Sequence, residues 1–262
     1  MSKQSLTASF LADPHIADLY QRATQAQFLR LAGQGRLSHQ TLSEWLSQDR
    51  LYAQAYVRFI GGLISRVMLP IEVDIAGAGA GLQWRLLTLL QGCLAGIMRE
   101  LRFFEETAAS YGLDLAATRP GEHTFGPNAT TKAYMELFDS FAVQSRGDSP
   151  RTLFDGLVVL WATEKAYLTA WSYAQKSSDS QNENWEKDLD GGALRKHFIP
   201  NWTSRPFQEF IEEIQGCLNA YAESSLGEEN EKARFSAAAA MVKKVLVLEE
   251  AFWPVIPVDD GI

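Results

Sequence analysis

The chain has 262 residues, of which 46% are hydrophobic and 21% are charged, so it is long and apolar enough to bury a sizeable core. Asp and Glu outnumber Lys and Arg by 32 to 24, which gives a net charge of −8. This balance, without a basic block, argues against general nucleic-acid binding and against binding to an anionic membrane surface. Cys93 and Cys217 are far apart, which predicts reduced thiols rather than a disulfide framework.

The first residues lack the apolar core of a signal peptide. No apolar run approaches the ~20 residues of a membrane-spanning helix. We therefore expect a cytoplasmic protein without a nucleic-acid partner or a membrane partner.

Apolar residues recur at steps of three and four in nearly every long segment, which indicates α-helix. The predicted helices cover about 15–32, 39–68, 82–111, 130–144, 150–176, 206–224 and 228–253. Ser38 is the predicted N-cap of the second helix. The short LVVLWA run lies inside the fifth helical pattern, so we do not predict a strand there. The sequence predicts an all-α, single-domain helical bundle over residues 1–262.

Two connecting segments have a distinctive composition. The Gly/Ala-rich run at 76–81 is predicted as a flexible connector, because no strand precedes it and no Gly-Lys-Ser/Thr follows it. The polar run at 177–188 is predicted as a solvated surface loop. The 177–190 segment is open to two interpretations, a lid or a simple insertion.

Carboxylates occupy the apolar faces of three predicted helices. Asp49 lies three residues after Leu46 and three before Tyr52, on the inward face of its helix. Glu164 and Glu249 lie on the apolar stripes of the fifth and last helices. An ionised, unpaired carboxylate loses several kcal/mol in desolvation there, so each needs a partner inside the fold or a ligand.

Three inward acids on three helices of a bundle are able to meet in one pocket, and Glu100 is a weaker fourth candidate. Aromatic residues near the acids are suitable pocket walls: Tyr52, Tyr56, Tyr134, Tyr167, Trp171 and Phe252. An acidic, aromatic and partly dry pocket suits a flat, cationic or amino-bearing heterocycle. Burial also raises a carboxyl pKa, which suits general acid–base catalysis near neutral pH.

A purely structural role explains each acid equally well when it is taken singly. It would accept a hydrogen bond from a tyrosine hydroxyl or pair with a cation such as Arg58 or Lys165. Three acids on three helices favour a functional site. No Glu-x-x-His motif of a carboxylate di-iron bundle occurs, and His15 is a weak axial ligand for haem, so we predict neither metal nor cofactor.

Three segments together resemble the TenA (thiaminase II) family. GRLSHQTLSEWLSQDRLYAQAY matches the Gly-x-Leu and Gln-Asp-x-x-Tyr pattern of that family, with Gln48, Asp49 and Tyr52 in the motif. TKAYMELF matches the alanine-tyrosine segment at Tyr134, and LEEAFW matches the C-terminal Glu-x-x-Phe-Trp signature at Glu249. The order and spacing of the segments also fit, so the resemblance spans most of the chain.

The resemblance implies a haem-oxygenase-like helical bundle, usually without haem and often a homo-oligomer, dimeric or tetrameric. It implies hydrolysis of aminopyrimidine or formylaminopyrimidine products of thiamin breakdown, in thiamin salvage. Asp49, Tyr52, Tyr134 and Tyr167 would bind the pyrimidine, and Glu249 and Glu164 would be catalytic.

The sequence departs from the best-known branch of the family at one position. That branch has a nucleophilic Cys four residues before the pocket tyrosine of the fifth helix, here Tyr167, and this chain has Thr163 there. This is similar to the branch that uses a glutamate instead, here Glu164. Two alternatives stay open: a pyrimidine-binding protein of the same fold without turnover, and a haem or iron redox protein.

Overall fold

The computed structural model describes residues 4–71, 78–118, 121–142, 151–178, 184–225 and 231–256. These residues form ten α-helices and no β-strand. The helices are α1 (Leu6–Ala12), α2 (Pro14–Thr24), α3 (Gln27–Gly33), α4 (His39–Ile64), α5 (Ala78–Tyr111), α6 (Ala129–Ala142), α7 (Leu153–Lys176), α8 (Ile199–Trp202), α9 (Arg205–Ser225) and α10 (Glu231–Phe252). The prediction of an all-α, single-domain bundle is confirmed.

The long helices begin where the sequence supplies caps. The Ser38 side chain accepts a hydrogen bond from the Thr41 amide at the start of α4, as predicted. Thr152 and Asp155 form a reciprocal capping box at the start of α7. These two helices carry Asp49 and Glu164, so their starting points fix which face each acid occupies.

The N-terminal helices differ from the prediction. Residues 6–12 form α1, which the sequence analysis missed, and the predicted helix 15–32 is divided into α2 and α3. Asp13 ends α1 and caps α2 by accepting hydrogen bonds from the amides of His15 and Ile16, with Pro14 at the first helical position.

The connector predicted at 76–81 is wrong for residues 78–81. They form the first turn of α5, and residues 76–77 lie outside the described residues. Glycine lowers helix propensity by about 1 kcal/mol relative to alanine. The sequence prediction gave this local cost too much weight, because residues 78–81 belong to a 34-residue helix.

One buried aromatic cluster joins four elements beneath the site. Trp45 of α4 contacts Trp171 of α7, Trp202 of α8 and Trp253 at the end of α10, with ring centroids 5.3 to 5.8 Å apart. α4 also packs against α5 and α6, and α7 packs against α9 and α10. The cluster therefore holds together the helices that carry the inward acids.

The segment before α8 is more ordered than its composition suggests. Asp188 forms an ion pair with Arg195 at 2.7 Å, and both side chains are 5% exposed. The Leu189 amide donates to the Gly35 carbonyl oxygen at 3.0 Å, which attaches the segment to the turn after α3. The prediction of a solvated loop is thus wrong at Asp188, although residues 184–187 are exposed. Residues 179–183 of the predicted loop lie outside the described residues. A π-helix, Leu194–Phe198, then leads directly into α8.

No helix in the described part of the chain combines the length and apolarity that crossing a bilayer requires.

Adjacent glycines in the last turn of α4 give a test of the packing. A methyl group on Gly62 would lie 2.5 Å from the Phe141 carbonyl oxygen, whereas Gly61 has nothing within 4 Å. We expect Gly61→Ala to leave the free energy of unfolding unchanged or raise it by up to about 1 kcal/mol, because alanine loses less backbone entropy. Gly62→Ala should lower it, because backbone on α6 must shift. Chemical denaturation of both variants measures the difference, and equal values would contradict the close α4–α6 approach.

Candidate active site

One cavity of about 540 Å³ lies among α4, α5, α7 and the α8–α9 segment. This volume is within the range of about 300–1,000 Å³ that is common for small-molecule sites. Its walls include the acids Asp49, Glu100 and Glu164, the tyrosines Tyr52, Tyr56 and Tyr167, Cys93, Thr163, and the aromatic residues Phe103, Phe104, Trp202, Phe207 and Phe210. The cavity is therefore both acidic and aromatic.

Asp49 is buried in the wall that α4 contributes, with 3% of its surface exposed. The Tyr167 hydroxyl donates a hydrogen bond to its Oδ2 at 3.1 Å. Burial raises the pKa of Asp49 well above its ordinary value, the charge of Glu100 raises it further, and the Tyr167 hydrogen bond opposes both. The environment of Asp49 thus shifts its equilibrium toward the protonated form.

Glu164 enters the same cavity from α7. The Tyr56 hydroxyl donates to its Oε1 at 2.7 Å. Burial raises the pKa of Glu164 to about 7, against the lowering effect of that hydrogen bond. A carboxyl group with this pKa is able both to donate and to accept a proton near neutral pH.

Glu249 and Tyr134 lie deeper than the other predicted site residues, and neither lines the cavity. The Tyr134 hydroxyl donates to Glu249 Oε1 at 2.5 Å, and the two residues are 0% and 4% exposed. The Tyr52 ring contacts the Tyr134 ring edge-on, with centroids 5.0 Å apart. Tyr52 therefore lies between this buried pair and the cavity. Burial raises the pKa of Glu249 to about 7.

The structure thus brings Asp49, Tyr52, Glu164 and Tyr167 to one cavity wall. Gln48, the motif neighbour of Asp49, has a different environment. Its side chain donates to the Gly126 carbonyl and accepts from the Asn128 amide, so it fixes the loop before α6.

Of the four inward acids, Asp49 and Glu249 are buried, and Glu100 and Glu164 are partly buried. Within the described residues, no Lys, Arg or His forms an ion pair with Asp49, Glu100, Glu164 or Glu249. Arg58, a partner considered from the sequence, pairs with Asp139 at 2.8 Å on the surface. The acids are met instead by neutral hydroxyl, indole and amide donors.

The cysteine and threonine side chains offer no activated nucleophile in this geometry. The Thr163 hydroxyl lies within hydrogen-bond distance of the Val159 and Leu160 carbonyl oxygens of its own helix. Cys93 belongs to the core, as predicted from the sequence, but it also lines the cavity. Burial raises the pKa of its thiol, which favours the unreactive protonated form.

Sequence reasoning missed part of the site. Asn201 and Trp202 line the cavity from a segment before residue 206 where no helix was predicted, and Phe207 and Phe210 line it from the predicted helix 206–224 without having been predicted as site residues. The spacing of Phe207 and Phe210 was a usable signal, because residues three apart share a helix face. Asn201 and Trp202 follow a π-helix, which the 3.6-residue period does not describe.

No group of three or more His, Cys, Asp or Glu side chains among the described residues is arranged to hold a metal ion. The expectation of a metal-free site stays a prediction.

The fold of the chain is similar to that of solved structures. A TenA homologue from Pyrococcus furiosus superposes with a TM-score of 0.69 at 22% identity, over 95% of this chain and 98% of that one. The chain has the fold of a TenA homologue. The resemblance inferred from the sequence is therefore confirmed at the level of the fold, and the absence of a catalytic cysteine stays a prediction.

Two proteins are similar to this chain in sequence. A probable bifunctional TENA-E protein of Glycine max is 22% identical over 236 residues, which cover 90% of this chain and 86% of the relative. A probable transcription factor of Fusarium pseudograminearum is 29% identical over an alignment of 231 residues, and the match covers 78% of this chain. The match spans only 43% of the Fusarium protein. No family model matches the chain.

The raised pKa of Glu249 predicts how stability changes with pH. Between the ordinary value of 4.5 and about 7, the folded protein keeps a proton that the unfolded chain has lost. The native protein therefore loses stability as the pH rises through this window. A Glu249→Gln variant has no titrating group there and keeps an oxygen acceptor for Tyr134. We expect its melting temperature to exceed the native value at pH 8, by a margin that shrinks toward pH 5.

Glu250→Gln is the matched control, because Glu250 is exposed and pairs with Arg22. It should show no such pH-dependent gain. A Glu249→Gln protein that melts lower than the native one at every pH would identify Glu249 as a structural acceptor.

Proposed function

We propose that this protein is a hydrolase that acts on aminopyrimidines from thiamin breakdown and needs no catalytic cysteine. The supporting observation is that Asp49 and Glu164 face one cavity, each with a tyrosine partner and neither with a cationic partner among the residues that the structure describes. A ligand that supplies positive charge and a flat ring would satisfy both the acids and the aromatic walls.

Asp49 is suited to hold the pyrimidine ring. A carboxyl group presents two oxygens side by side and pairs with the ring nitrogen and exocyclic amine of an aminopyrimidine. When Asp49 carries the proton, its carboxyl group donates a hydrogen bond to the ring nitrogen. When the ring carries the proton, both carboxylate oxygens of Asp49 accept hydrogen bonds. Tyr167 keeps the carboxyl group oriented in either case.

Glu164 is suited to move the proton in the chemical step. The C–N bond to the aminomethyl nitrogen breaks and a C–O bond to water forms, which gives a hydroxymethyl product and ammonia. In its ionised form Glu164 takes a proton from the attacking water. The protonated amine leaves as neutral ammonia, which then takes up that proton. The pKa of about 7 leaves both forms populated at neutral pH.

Glu249 influences the cavity through its charge in this geometry. Its negative charge raises the pKa of Tyr52, after burial, and contributes to the raised pKa of Asp49. Its protonation is coupled to that of Glu164, because two nearby carboxylates resist ionising together. Glu249 thus sets how many protons the site holds.

A second candidate function is pyrimidine binding without turnover. The observation that favours it is the Thr163 hydroxyl at the family's cysteine position, which donates to carbonyl oxygens of its own helix and is a poor nucleophile without activation by a base. Product analysis separates the two candidates, since both predict binding and only the hydrolase predicts hydroxymethylpyrimidine.

Replacing Asp49 tests the binding role. We expect Asp49→Asn to weaken aminopyrimidine binding by about tenfold or more, because a charge-assisted pair becomes a neutral one. The fold should persist, since Asn is nearly isosteric and still accepts from Tyr167. Isothermal titration calorimetry gives the affinity. Glu44→Gln on the same helix but outside the cavity is the control, and native-like binding by Asp49→Asn would overturn the assignment.

Removing both thiols tests cysteine independence. We expect a Cys93→Ala, Cys217→Ala double variant to retain turnover, because Cys217 does not line the cavity and burial favours the protonated thiol of Cys93. Product formation is measured beside a thermal melt, which reports the packing lost in the core. Loss of turnover in a folded variant would point to catalysis by Cys93.

A further inference from the structure

Glu100 presents a carboxyl group to the cavity from α5, and the proposed function gives it no task. Its Oε1 accepts a hydrogen bond from the Trp202 indole N–H at 2.5 Å. Its Oε2 accepts from the Asn201 amide at 3.1 Å. An ionised carboxylate accepts about four hydrogen bonds, so each oxygen keeps acceptor capacity beyond these two.

The two donors are held firmly. Trp202 is 3% exposed and packs on Trp171 and Phe198, with ring centroids 4.3 and 5.0 Å away. The π-helix before α8 delivers Asn201 and Trp202 together to this wall. Glu100 is therefore positioned by a segment that departs from regular helix immediately beforehand, as segments at functional sites often do.

No cation compensates Glu100 within the described residues. Arg99 is the only basic side chain along the described cavity lining, and it is exposed and makes no ion pair with Glu100. Phe103 and Phe104 follow one turn later on α5 and line the same cavity. Aromatic faces beside an uncompensated carboxylate form the usual environment for an organic ammonium group.

Glu100 is also distinct from the acid that would hold the ring. Trp202 stands between them, since its ring contacts Tyr167, the donor to Asp49, with centroids 5.4 Å apart, while its N–H binds Glu100. Asp49 and Glu100 nevertheless line the same cavity, and the charge of Glu100 raises the pKa of Asp49. One ligand in this cavity is thus able to contact both.

We propose that Glu100 binds the protonated amine of the substrate while Asp49 holds its ring, so that Glu100 selects pyrimidines with a cationic aminomethyl group over neutral ones. This inference rests on the proposed function and names the substrate class within it. It also explains product release, because the hydroxymethyl product has lost the charge that Glu100 binds.

The test compares three ligands that share the ring and differ in the substituent: aminomethyl, hydroxymethyl and formylaminomethyl. Calorimetry at pH 7 gives each Kd for the native protein, Glu100→Gln and the control Glu106→Gln, whose site is exposed on the same helix. We expect the native protein to bind the aminomethyl ligand most tightly. Glu100→Gln should weaken that ligand alone by about tenfold or more, and Glu106→Gln should match the native protein.

Asn201→Ala provides a second variant if Glu100→Gln does not fold. It keeps the carboxylate but removes one of its positioning donors, and it should reduce the preference for the aminomethyl ligand without changing the other two affinities. Equal weakening of all three ligands, or no weakening, would overturn the role of Glu100 and leave the proposed function standing. A native protein that binds none of the three would overturn the proposed function itself.

Discussion

The site is governed by the burial of carboxyl groups without internal counter-cations. Asp49, Glu100, Glu164 and Glu249 come from four helices, and within the described residues each is met only by neutral donors. Desolvation raises their pKa values, and the charges of neighbouring acids add to the effect for all but Glu100. The arrangement lowers the free energy of unfolding near neutral pH. It also gives the cavity an electrostatic environment that favours a cationic ligand.

Elsewhere the same chain does neutralise a buried acid. The Asp188 side chain is 5% exposed, comparable to Asp49 at 3%, and Arg195 pairs with it through two hydrogen bonds of 2.7 and 2.8 Å. That pair joins Asp188 to the π-helix that leads into α8. The contrast indicates that the lack of a cation around the cavity is a property of the site rather than of the fold as a whole.

Much of this arrangement could be predicted from the sequence, because it depends on helical periodicity. Asp49 and Glu164 interrupt regular apolar stripes in capped helices, and their side chains reach the cavity as that pattern predicts. The depth of Glu249 could not be predicted, since periodicity identifies the inward face but not what lies in front of it. Here Tyr52, from another helix, occupies that space.

The missed elements have a common cause. α1 is short and weakly patterned, and the π-helix at Leu194–Phe198 shifts the register that a 3.6-residue period assumes. Asn201 and Trp202 depend on that shift, so the donors that hold Glu100 are invisible to a periodicity argument. Glu100 itself was predicted as a weak candidate, because periodicity identified its helix face. Its hydrogen-bond partners could not be predicted.

The tyrosine partners determine what a cationic ligand would do to the site. Each hydroxyl stabilises the ionised form of its carboxylate modestly, without fixing that form as an arginine would. A bound cation favours ionisation, so the pKa values of Asp49, Glu100 and Glu164 fall when the ligand enters. Under the proposed function, a cationic substrate would therefore shift Glu164 toward its ionised form, which is the form that accepts a proton from water. A neutral product would remove that effect.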